Sequence, residues 1–116
     1  MEEWRPATIK EVQRIAEQGL KTCDAGQVRA FKQYAITPYM APILRYGKKE
    51  RVVVVARKDN EVISWEDVEE GFNVSPVDSE GQILHRCNYD ELGFALNAWI
   101  EDRGLSGRFG PATQLK

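Results

Sequence analysis

A single imidazole, His85, stands two residues before Cys87, with Asp90 close behind. Proton shuttling near neutral pH needs an imidazole or an unusually shifted group, so any Ser–His–acid or Cys–His chemistry in this chain must run through His85. On a strand, His85 and Cys87 share a face with Cα atoms roughly 7 Å apart. Such proximity arises often by chance, and a structural or solvent-facing histidine is the plainer reading. His85, Cys87 and Asp90 match no recognised metal-ligand spacing. The sequence therefore assigns no catalytic set, no metal and no cofactor, and leans away from an enzyme.

The other chemistry-bearing residues are segregated by charge. From position 43 to 58 the chain carries Arg45, Lys48, Lys49, Arg51, Arg57 and Lys58 against one acid, Glu50. From 59 to 80 it carries eight acids and no Lys or Arg. The densest part is Glu66, Asp67, Glu69 and Glu70. It lacks the alternating oxygens and central glycine of a calcium loop, and nothing marks it as the buried carboxylate pair that acid–base catalysis uses. It reads either as a solvated loop that resists aggregation or as a surface for a basic partner. The basic group, with Tyr46 in its midst, could contact phosphates. Pairing with the acidic arm, and repulsion of a phosphate backbone by the nearby acids, disfavour nucleic acid. Trp65, Phe72, His85, Tyr89 and Trp99 all fall in the later strands and last helix. There they would either fill the core or line a ligand pocket.

The composition bounds the class. With 116 residues, the chain is read as one domain over 1–104 with a mobile or loosely docked tail over 105–116. Net charge is −2 and the hydrophobic fraction 42%, as in an ordinary soluble protein. The start has no basic region leading into an apolar core, and the longest apolar run, 52–56, is too short to cross a bilayer. A cytoplasmic, non-membrane protein is expected. Cys23 and Cys87 form no CxxC and read as small buried side chains.

The elements that must position these residues follow from periodicity. Trp4, in the short lead, is expected to fold back on the body. Thr8 and Glu11 make a capping box, and Ile9, Val12, Ile15, Ala16, Leu20 and Cys23 form one helical stripe ending near Thr22. Gly19 weakens that helix or allows close approach of another element. Asp24 with Gln27 starts a second helix over 25–34, preferred to a competing strand reading. Pro38 and Pro42 force an extended passage, with a first strand over 43–46. Residues 52–55 are all apolar and demand cover on both faces. A turn at 58–61 leads to a strand with Ile63 and Trp65 on one face and Val62 and Ser64 on the other. Phe72 and Val74 alternate in a strand that Pro76 limits to an edge or an end. A turn at 79–81 leads to a last strand over 82–87. Asn88 then caps a helix that buries Leu92, Ala95, Leu96, Trp99 and Ile100 and ends at Gly104.

The expected fold is α+β: two N-terminal helices, an antiparallel meander of four to five strands, and a C-terminal helix packed on the sheet. The face away from the helices would be curled over or covered by a partner chain. The leading functional expectation is a small, bacterial-type, non-enzymatic interaction protein that presents Glu66, Asp67, Glu69 and Glu70 to a basic partner. An immunity- or antitoxin-like neutralising protein has this character. The alternatives are a small-molecule-binding domain built on the aromatic residues and a self-associating homodimeric module.

Overall fold

The computed structural model describes residues 7–45, 47–66, 70–84 and 91–100. Helix α1 spans Ile9–Leu20, α2 Ala25–Tyr34, and strands β1 Ala35–Arg45, β2 Lys48–Lys58, β3 Glu61–Glu66 and β4 Gly71–Pro76, before α3 at Leu92–Asn97. The four strands pair antiparallel in the order β1-β2-β3-β4, so the expected α+β meander is the fold.

Both N-terminal helices start as their sequences require. Thr8 N–H donates to Glu11 Oε1 at 2.8 Å, and Glu11 N–H donates back to Thr8 Oγ1 at 3.1 Å. Asp24 and Gln27 repeat the box, with both bonds at 2.8 Å. These side chains satisfy N–H groups that the first helical turn leaves without partners. Gly19 then proves to be a contact point, because a Cβ there would sit 3.2 Å from Leu92 Cβ on α3. Gln27 ties α2 to the same helix, donating through Nε2 to Gly93 O at 3.2 Å and to Asn97 Oδ1 at 3.1 Å.

Strand β2 is the spine. Val52, Val53, Val54, Val55 and Ala56 are all buried, which a strand achieves only with cover on both faces. On one face Val53, Val55, Ile63, Phe72 and Val74 meet Val12, Ala16 and Ala30 of the first two helices and Leu92, Ala95 and Leu96 of α3. On the other, Ala41, Ile43, Val52, Val54 and Val62 meet Val77 and Ile83. Ile83 bridges in parallel to Ile43 and antiparallel to Val77. Its N–H donates to Pro42 O at 2.9 Å, and the Leu84 N–H donates to Pro76 O at 3.0 Å. The sheet thus curls until residues 83–84 join β1 to the end of β4, and the second face becomes an interior.

Three details differ from the sequence reading. Strand β1 begins at Ala35, directly after α2, and runs through both prolines. An edge strand tolerates the missing N–H groups, and the register shifts between Ala35 and Tyr39, around Pro38. No fifth strand forms over 82–84, where Ile83 makes only isolated bridges; positions 85–87 lie outside the described residues. Helix α3 starts only after Glu91, the N-cap residue, whose backbone is extended (φ −106°, ψ 149°) and whose side chain makes no cap bond, three residues later than expected. Beyond Asn97 the chain tightens into i→i+3 bonds, with Trp99 N–H donating to Leu96 O at 2.9 Å. Asn88, Gly104, the Trp4 lead and the 105–116 tail lie outside the described residues.

The α2–α3 connection gives a direct test. Gln27→Ala removes the return half of a capping box and two bonds to α3. It should destabilise the domain by about 1–2 kcal/mol, read from the urea midpoint, while the exposed neighbour Arg29→Ala stays near wild type.

Candidate functional site

Strands β3 and β4 pair so that Trp65 lies directly opposite Phe72, and the two rings meet edge to face with centroids 5.1 Å apart. Alternation puts both on the helix-covered face with Ile63 and Val74. Helix α1 crosses this pair with its C-terminal end, bringing Ile15, Gly19 and Thr22 alongside, while Glu91 and Leu92 close the third side from the start of α3. The result is an open groove of about 410 Å³ whose floor is aromatic and aliphatic. The short Gly19–Leu92 approach is what lets α1 and α3 meet beside it.

Two carboxylates line the groove, Glu70 and Glu91, both on exposed residues. Glu70 ends the β3–β4 turn, where its N–H donates to Glu66 O at 2.8 Å. Its backbone is left-handed, with φ 56°. For a residue with a Cβ this conformation costs about 1 kcal/mol or more, so the turn holds Glu70 at a place where glycine would fit with less strain. Neither Glu70 nor Glu91 forms an ion pair with another described residue. The two carboxylates thus stand beside the half-buried Trp65 ring and aliphatic walls.

The field of Glu91 is felt by a neighbour. Burial raises the Cys23 thiol above its ordinary value, and the negative charges of Asp24 and Glu91 raise it further. Cys23 Sγ donates weakly to Gly19 O at 3.3 Å. A thiol so placed is poorly nucleophilic at neutral pH, since the thiolate is the reactive form.

The sequence candidates are distributed unevenly over this structure. Trp65, Phe72 and Glu70, drawn from two separate readings of the sequence, line one groove. Glu66 does not join them: it is 1% exposed and points into the curled interior, on the face that carries Ser64, Asn73 and Ser75. In that interior Asn73 Oδ1 and Ser75 Oγ have no hydrogen-bond partner among the described residues. Trp99 is buried at the opposite end of β3, edge to face with Tyr34 at 5.4 Å, and its Nε1 donates to Glu61 Oε1 at 2.9 Å. That is a structural anchor, separate from the groove. Asp67, Glu69, His85 and Tyr89 lie outside the described residues. Among the described residues no three His, Cys, Asp or Glu side chains gather as a metal site. None of the described helices is long and apolar enough to cross a membrane.

The basic group divides as well. Arg57 and Lys58 sit at the β2–β3 turn, Arg57 Nε donating to Asp59 O at 2.8 Å and Lys58 Nζ lying 5.8 Å from the Tyr34 ring centroid. Lys48, Lys49 and Arg51 are exposed at the far end of β2. Glu91, Ile15 and Thr22 were not singled out as site residues from sequence. In the sequence Glu91 is simply an acid next to the apolar stripe of the last helix, and nothing local ties it to a strand pair some twenty residues upstream.

No protein-family model matches this chain, and neither does any curated protein or solved structure.

The Glu91–Cys23 proximity is testable in solution. In a Cys87→Ser background, Glu91→Gln should lower the Cys23 pKa slightly, burial and Asp24 still holding it up, and alkylation at pH 7–8 should be measurably faster because a larger thiolate fraction is present. Stopped alkylation time courses followed by intact mass supply the rates.

Proposed function

We propose that this protein is a non-enzymatic interaction domain that captures a basic group of a partner in the groove between α1, the β3–β4 hairpin and α3. The observation that carries the reading is the convergence of Glu70 and Glu91 with the Trp65–Phe72 pair on one concave surface. A lysine or arginine side chain laid along Trp65, the half-buried member of the pair, places its methylene stem on apolar surface and its charge between the acids. Each carboxylate alone, exposed to water, would contribute little. The groove adds ring faces and partial desolvation, and Asp67 and Glu69, adjacent in sequence, add the same sign of charge. Complementary fields of this kind raise association rates and select partners. A neutralising role toward a basic protein, as an immunity protein or antitoxin performs, fits this chemistry.

A second reading draws on the size of the groove. At about 410 Å³ it lies within the range of small-ligand sites, so a free organic amine would be held by the same groups.

Titration with a short Lys/Arg-rich peptide, monitored by tryptophan fluorescence, separates these outcomes. Binding should shift the Trp65 emission, weaken as salt is raised, and fall at least about tenfold in Glu70→Lys/Glu91→Lys with the circular dichroism unchanged. Equal affinity in the double variant overturns the reading. Binding of a diamine with no response to the peptide moves the assignment to a small ligand.

A further inference from the structure

Two oxygens are sealed inside the curled sheet, Asn73 Oδ1 and Ser75 Oγ, and neither has a hydrogen-bond partner among the described residues. Their placement follows from the ladder. Alternation sends Val62, Ser64 and Glu66 of β3 to the inner face, and Asn73 and Ser75 of β4 with them. Ser64 stands directly opposite Asn73, and Ser75 directly opposite Val62. Residues two apart on a strand have Cα atoms about 7 Å apart, and directly opposed residues have Cβ atoms about 5 Å apart. Three short polar side chains thus border one small volume.

The surroundings of that volume are apolar and closed. Val54 of β2 pairs with Ser64, and both Val54 and Val62 are 0% exposed. Ser64 and Asn73 are 2% exposed, and Ser75 is 0% exposed. The side chains leave room as well, since serine is small and Gly71, opposite Glu66, brings none. An amide or hydroxyl oxygen left unpaired in such a place gives up its hydration and gains no bond in return.

Water is the molecule this chemistry selects. It donates two hydrogen bonds, so one molecule satisfies both oxygens, and it accepts from a serine hydroxyl in turn. It also bridges polar groups that do not reach each other. A larger ligand finds no opening between residues so fully enclosed.

We propose that Asn73 and Ser75 hold an internal water molecule, with Ser64 as the third polar group around it. The site lies on the inner face of the sheet and is independent of the groove, which opens on the helix-covered face.

Oxygen-17 relaxation dispersion of the solvent tests it. Only water held for longer than the protein takes to tumble contributes, and exchange of hydroxyl protons does not enter. The wild-type chain should show a dispersion step. The double variant Asn73→Leu/Ser75→Ala replaces both oxygens with apolar groups and should lose the amplitude of about one water, with its circular dichroism retained. A wild-type chain with no step overturns the proposal, as does a folded double variant that keeps the whole step. Should the double variant not fold, Asn73→Leu alone decides. It removes one partner and fills the space with a branched side chain, so the same amplitude should vanish. An undiminished step in that variant overturns the proposal.

Discussion

The structure depends on one constraint: strand β2 carries five consecutive buried residues, Val52 to Ala56, and so must be covered twice. A half-buried strand would need one layer of helices and nothing more. Here α1, α2 and α3 cover one face, and the sheet covers the other by curling until Ile83 links β1 with the segment after β4. The groove is a by-product of that arrangement. Three helices supply the cover on the first face, and Gly19 lets α3 approach α1 closely through Leu92 beside the β3–β4 hairpin.

The second face has an unusual composition for an interior. Its β1–β2 half is aliphatic, while its β3–β4 half carries Ser64, Glu66, Asn73 and Ser75, all buried. Burying polar groups is unfavourable unless they find partners, and Asn73 Oδ1 and Ser75 Oγ have none among the described residues. The aliphatic half must therefore supply the stability that closes the curl. The polar half also explains why Glu66 belongs to the interior and Glu70 to the surface, although both sit in one acidic run. Four residues separate them across a turn, and the pleat sends Glu66 inward at the last pair of the ladder, opposite Gly71.

Much of the fold was legible because its signals are local. The two capping boxes, the Asp59 turn with φ 55°, and the alternation that sets Trp65 apart from Ser64 are all determined by neighbours within four residues. What escaped was long-range or depended on context. Prolines at 38 and 42 argue against pairing in general, yet an edge strand accommodates them. A sequence that alternates Trp65 with Ser64 and Glu66 reads as apolar-in, polar-out, and only the curl turns that polar side into an interior. The groove was half visible. Its aromatic pair and Glu70 were named from separate patterns, but Glu91 reaches them through tertiary packing that no local spacing encodes.

The groove, in preference to any other acidic surface, is proposed to receive basic groups. Backbone and side-chain NMR shifts of the labelled chain during titration with a Lys/Arg-rich peptide test this most directly, because other exposed acids, Asp59 and Glu80, serve as internal controls. Binding in the groove should give saturable shifts that cluster at Ile15, Thr22, Trp65, Glu70, Phe72 and Leu92, weakening with salt. Shifts centred on Asp59 and Glu80, or small changes spread over every acid with no saturation at the groove, would contradict it.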